Sequence, residues 1–112
     1  MVGYAVRKQP QVASAVSEAV KRGVLVTTLF KRPEDNPSFH GSGAPFAGLD
    51  VRRLSWPAKQ RPPAGASLHV KVLIADRRVE LIGSANITDW AFEKNIECGV
   101  LIRGGDHPWR LR

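Results

Sequence analysis

The chain has 112 residues, 43% of them hydrophobic and 24% charged, and its 17 lysines and arginines against 10 acids leave a net charge of +7. That length fits one small domain with no room for a second core, and the apolar content excludes wholesale disorder. A single cysteine, Cys98, excludes an intrachain disulfide and a cysteine-rich zinc site. No window approaches the roughly 20 apolar residues that cross a bilayer. The opening stretch from Met1 to Lys8 has no apolar region of the kind a secretion signal needs. A cytoplasmic location is therefore the expectation. The positive balance predicts attraction to polyanions, whether DNA, RNA or anionic lipid headgroups, without choosing among them. Ordinary solvated surface accounts for such a charge about equally well.

In chain order, Val2 to Val6 reads as a short strand. Pro10 suits the first turn of a helix, where its missing N–H costs nothing. Val12, Ala15, Val16, Ala19 and Val20 then recur at helical spacing. Lys21 and Arg22 fall in the last turn, and Gly23 is placed to end it. Val24 to Phe30 is a β-branched apolar run that reads as a buried strand, and strand–helix–strand argues for a parallel pair in an α/β layer. Residues 31–48 dissolve into Pro, Gly, Ser, Asn and Asp, which predicts a loop. Leu49 to Leu54 is a candidate strand, and Trp56 to Ala66 a second, proline-rich loop. Leu68 to Ala75 and Val79 to Ile82 read as partner strands around a tight turn at Asp76, Arg77 and Arg78. Asp89 to Lys94 is a candidate helical turn, and Ile96 to Ile102 a final apolar strand in which Cys98 is expected to pack. The tail from Gly104 shows no periodicity. No repeat or low-complexity tract is present.

One spacing stands apart: His69-x-Lys71-x4-Asp76-x6-Gly83-Ser84-x-Asn86. Residues two apart on a strand point to one face, so His69 and Lys71 project together while Val70 and Val72 face the opposite layer. A lysine beside an imidazole can hold a phosphate oxygen within reach of a nucleophile. Gly83 and Ser84 lie where backbone approaches a ligand easily, and Ser84 and Asn86 add hydroxyl and amide donors. A lone histidine on a half-buried strand is usually packed, and a lone lysine usually solvated. Six fixed residues at fixed spacing are another matter, arising by chance on the order of once in ten million start positions.

The run from His69 to Asp76, followed by Gly83-Ser84-Ala85-Asn86, resembles the HKD motif of the phospholipase D superfamily. Asn95-Ile96-Glu97 resembles the acidic segment that follows the motif in that family, and the upstream strand–helix–strand resembles its βαβ unit. Within the superfamily the chain is most similar to the bacterial phospholipase D-like nuclease branch. Ala75 to Gly104 is similar to the phospholipase D-like component of the DISARM antiphage system. The resemblance implies an α/β fold, a mixed β-sheet flanked by helices. It also implies that residues 1–112 form one domain with a single motif, clipped at both ends, since family domains begin with a helix before the strand found here at Val2.

The resemblance further implies a metal-independent phosphodiesterase, most simply a DNA endonuclease without cofactor. His69 would attack phosphorus and form a phosphohistidine, splitting one displacement into two. Lys71, Ser84 and Asn86 would bind the phosphate and stabilise its charge. Glu97 would hydrogen-bond the far nitrogen of His69, in the manner of a triad's carboxylate. Asp76 would serve structurally through a buried polar contact. The acid for the leaving oxygen comes, in the family, from a second motif, and this chain has one. His40 and His107 lack flanking motif residues, so a homodimer or a second motif-bearing chain is expected to complete the site. Two other readings stay open: a phospholipase or phosphatidyl transferase, and a non-catalytic subunit that binds nucleic acid or joins a complex. Trp56, Trp90 and Trp109 are candidates for base stacking. Lys31, Arg32, Arg52, Arg53, Lys59, Arg61, Arg77 and Arg78 are candidates for backbone-phosphate contacts.

Overall fold

The computed structural model describes residues 1–3, 6, 7, 9–31, 44–61 and 66–105. In chain order the elements are β1 (Val2–Gly3), β2 (Val6–Arg7), α1 (Pro10–Lys21), β3 (Thr27–Phe30), β4 (Arg52–Leu54), β5 (Val72–Ala75), β6 (Val79–Gly83), β7 (Ile87–Thr88), α2 (Asp89–Glu93) and β8 (Gly99–Arg103). Six strands form a mixed sheet in the order β4-β3-β1-β5-β6-β8, and β2 pairs with β7 in a separate ribbon. The expected parallel pair is present as β1 and β3, with Val2 opposite Leu29, and β4 extends it in parallel. From β1 through β5 and β6 to β8 each successive pair is antiparallel. Among the described residues the chain is thus α/β, a mixed sheet with two α-helices, as the sequence implied.

Helix α1 starts at Pro10 and ends where Gly23 adopts a φ of +85°. The N–H of Gly23 bonds to the carbonyl of Val20 and that of Val24 to the carbonyl of Ala19, both at 3.0 Å or less. Two of the helix's last carbonyls are satisfied in this way, which is why a residue free to take positive φ stands there. Its apolar stripe meets a core of Val16, Phe30, Phe46 and Val51, with Val12, Val20 and Leu49 packed around it. The rings of Phe30 and Phe46 meet edge to face, centroids 6.3 Å apart, a favoured aromatic geometry. Gly3 makes room for this: a Cβ there would lie 2.5 Å from Phe30 Cε1. The segment carrying Phe46 is held by Arg53, whose guanidinium donates to the carbonyls of Pro45, Phe46, Leu49 and Val51.

Several strands are shorter than their apolar runs suggested. The run from Val24 enters the sheet only at Thr27, and Leu25 is 97% exposed. The run from Leu68 enters at Val72, so His69 and Lys71 precede the regular strand, and Val70 is exposed rather than packed on an opposite layer. The final run begins pairing at Gly99, leaving Ile96 and Cys98 exposed, so the expected packing of Cys98 is corrected. Backbone pairing is the common physical cause: the ladder stops where backbone partners stop, whatever side chains follow.

The candidate active site at one end of the antiparallel half

Strands β5, β6 and β8 share a register that brings three chain crossings together at one end. Val72 opposes Ile82, Ile82 opposes Val100, and Gly83 opposes Gly99. Just beyond that end lie His69 and Lys71 before β5, Ser84 after β6, and Glu97 before β8. Backbone bonds continue past the regular strands and fix the crossings. The N–H of Gly83 bonds to the carbonyl of Lys71 at 3.1 Å, and that of Ser84 to the carbonyl of Cys98 at 3.0 Å. Gly99 is constrained by closeness as well, since a Cβ there would stand 3.0 Å from the carbonyl oxygen of Ile82.

Lys71 Nζ donates to the carbonyl of His69 at 2.7 Å and stands 3.0 Å from Nδ1 and 3.2 Å from Nε2 of the same residue. An ammonium nearly equidistant from both ring nitrogens lies against the ring face instead of on one lone pair. The two side chains therefore meet as the spacing suggested, although both residues precede the regular strand. Burial pulls the Lys71 ammonium below the usual lysine range, and the facing Glu97 carboxylate works the other way.

Glu97 is gripped on both oxygens. Ser84 Oγ donates to Oε2 at 2.5 Å and Asn95 Nδ2 donates to Oε1 at 3.1 Å. The Ser84 and Asn95 hydrogen bonds, with the charge of Lys71 behind them, hold this carboxyl below the ordinary carboxylate range. Ser84 Oγ in turn accepts from the N–H of Cys98 at 3.0 Å. Its single proton is thus committed to protein acceptors, and donating to a phosphoryl oxygen requires that proton to turn away from Glu97. Asn86 lies two residues beyond Ser84 with its Oδ1 buried and without a hydrogen-bond partner among the described residues.

Asp76 is elsewhere. It sits exposed at the β5–β6 turn, five residues from Lys71, or roughly 16 Å of extended chain. With φ of +52° and +56° at Asp76 and Arg77, and Arg78 N–H bonded to the carbonyl of Ala75 at 3.0 Å, the turn is of the twisted hairpin type. The expected buried polar contact is corrected: Asp76 stands where a short polar side chain tolerates positive φ. Arg77 and Arg78 share that distal turn. Arg53 and Arg61 are engaged internally, the first on four carbonyls and the second on the Trp56 carbonyl and ring. Arg32, His40, His107 and Trp109 lie outside the described residues, as does the side chain of Trp90.

A cavity of about 330 Å³ opens beside the site, and Lys71, Glu97 and Cys98 line it together with Leu73, Leu81 and Phe92. The sequence reasoning did not foresee it, nor the donor role of Asn95. The second had no signal in the spacing alone, because the chain bends at Asn95 and strand alternation does not apply there. Among the described residues no group of three or more His, Cys, Asp or Glu side chains is placed to hold a metal ion, and no helix is long and apolar enough to cross a membrane.

The chain was compared with known proteins. Residues 1–107 match the family described as "Cardiolipin synthase, PLD-like domain". NucT from Helicobacter pylori has the same fold, with a TM-score of 0.76 at 19% identity, the match covering 98% of this chain and 70% of that one. Nuc from Salmonella typhimurium, a phospholipase D family member, superposes with a TM-score of 0.70 at 25% identity over 99% of this chain and 70% of its own. No curated protein gives a significant match. On the strength of a family match that runs through nearly the whole chain, and of a sheet shared with these structures, the protein belongs to the phospholipase D-like domain family.

Proposed function

We propose that the protein is a phosphodiesterase working through His69, with DNA as its substrate and no metal requirement. The observation that carries this reading is the convergence of His69, Lys71, Ser84 and Glu97 at one end of the antiparallel strands, with the Lys71 ammonium against the His69 ring. In the first step a His69 nitrogen bonds to phosphorus as the P–O bond to the leaving group breaks. The departing oxygen takes a proton from an acid. In the second step water attacks phosphorus, the P–N bond breaks, and the same group takes back a proton. Lys71 and Asn86 offset the charge that develops on the phosphoryl oxygens, with Ser84 joining when its proton swings from Glu97.

The acid is His69 of a second copy brought across a two-fold axis, or the histidine of another motif-bearing chain. The net charge of +7 favours a polyanionic substrate and makes binding strongly salt-dependent. A role in antiphage defence is supported by the likeness of Ala75 to Gly104 alone, and loss of plaque protection in a His69→Ala host is its test.

The decisive assay is cleavage of plasmid and single-stranded DNA in excess EDTA, wild type beside His69→Ala, with the oligomeric state measured in parallel. The expected result is EDTA-resistant cleavage by a dimer, reduced on the order of 10⁴-fold or more in the variant. Inactivity of a folded dimer on both DNAs sinks the DNA reading. The apolar cavity beside Lys71 and Glu97 specifically favours one alternative, a phospholipid diester whose apolar part occupies it. Release of headgroup from anionic vesicles, with DNA untouched, is the outcome that selects it.

A further inference from the structure

We infer that Asn95 is a positioning residue: it holds the Glu97 carboxylate in the orientation that faces Lys71, and so sets the charge of the phosphate-binding end of the site. This rests on the phosphodiesterase reading for its consequence, but its geometry stands on its own. The segment between α2 and β8 bends at Asn95, carries Glu97 two residues on, and is largely exposed. A carboxylate there has many rotamers in water, and holding one costs side-chain entropy. Two donors from different directions remove that freedom, Ser84 Oγ at Oε2 and Asn95 Nδ2 at Oε1. Ser84 is itself fixed by the Cys98 N–H, so the Oε2 side is anchored to the β6–β8 pair. The Oε1 side is anchored by Asn95.

The charged group facing Glu97 is Lys71, whose ammonium burial disfavours and Glu97 supports. If Asn95 lets the carboxylate turn away, Lys71 loses its counter-charge while keeping its burial. The proton balance of the site then shifts although no group that touches the substrate has changed. Asn95 is needed as an amide: an aspartate of the same shape puts a second carboxylate against Oε1, where like charges at hydrogen-bond distance cannot both ionise comfortably.

The test compares Asn95→Ala and Asn95→Asp with wild type, each shown to be folded by circular dichroism. The first readout is the titration of Glu97 followed by carboxyl-carbon NMR, which needs no turnover. Both variants are expected to move Glu97 upward from its wild-type midpoint, Asn95→Asp the further. The second readout is the pH profile of kcat on the DNA substrate proposed above. There Asn95→Asp loses roughly tenfold or more near neutrality with KM little changed, and recovers toward acid pH as the carboxylate pair takes up a proton. A Glu97 midpoint unmoved in folded Asn95→Ala overturns the inference. So do equal kcat profiles for the two variants, which mark a merely structural role. If wild type cleaves no phosphodiester, the function reading fails, while the Glu97 titration still decides the role of Asn95.

Discussion

The two halves of the sheet are built on different terms. The parallel half, β4-β3-β1 with α1 and the segment 44–51, buries Val16, Phe30, Phe46 and Val51 in one cluster and ties its irregular segment down with the Arg53 guanidinium. The antiparallel half, β5-β6-β8, has the denser hydrogen-bonded ladder yet leaves Leu73, Leu81 and Leu101 facing outward in one row. The candidate catalytic groups all lie on that second half. Apolar burial is therefore concentrated on one side of the molecule, while backbone pairing and a small polar network order the side that carries the candidate site. The difference teaches that stability and function can be perturbed here almost independently.

The comparison breaks most sharply at Phe30. Phe30→Ala is expected to cost about 3–5 kcal/mol, because the ring is buried and edge-packed on Phe46. His69→Ala, at an exposed position, is expected to leave stability within about 0.5 kcal/mol while removing activity. Urea unfolding of the two variants measures both, and comparable losses would collapse the distinction between the halves.

Next comes the cap of α2. Thr88 is buried and its Oγ1 accepts from the N–H of Ala91 at 3.2 Å. Thr88→Ala is expected to destabilise by about 1 kcal/mol. The same change locates the boundary between halves, since loss of cleavage larger than the stability loss places α2 with the site.

A pH-dependence sharpens the comparison without a stability change of that size. The folded-state pKa of Lys71 lies below its ordinary value, so its charge costs stability at all pH below that pKa, and the cost is relieved as pH rises through it. Activity has the opposite sign, because it needs the ammonium: its alkaline limb should fall earlier than an ordinary lysine allows. Glu97→Gln removes the group that supports this charge and should bring the limb to still lower pH. A limb that stays put would detach Glu97 from Lys71.

The smallest effect is expected at Leu81, 45% exposed in mid-strand. Leu81→Ser should change stability by no more than about 0.5 kcal/mol, whereas a cost of several kcal/mol would show that this face is buried in solution against a further surface. Its exposed apolar row is also the natural place to look for self-association, which the oligomer measurement records.

Much of this was legible in the chain. Periodicity and punctuation gave α1 from Pro10 to its stop at Gly23, because helix termini are set by local chemistry: a missing N–H at one end, a free positive φ at the other. The tight turn at Asp76 was legible for the same reason. Spacing alone put His69 beside Lys71, although both residues precede the regular strand. The sequence by itself could not decide which apolar residues are inside. Glu80 is 0% exposed while its neighbour Leu81 faces out, the reverse of what side-chain polarity suggests, because register across β5, β6 and β8 fixes which face each position takes. Nor could it show that Ser84 and Glu97, 13 residues apart, are joined by a hydrogen bond. That pairing depends on which strand ends the sheet brings together. Local rules of backbone and spacing determined the elements and the members of the site, and long-range strand registry decided their sides, their partners and their distances.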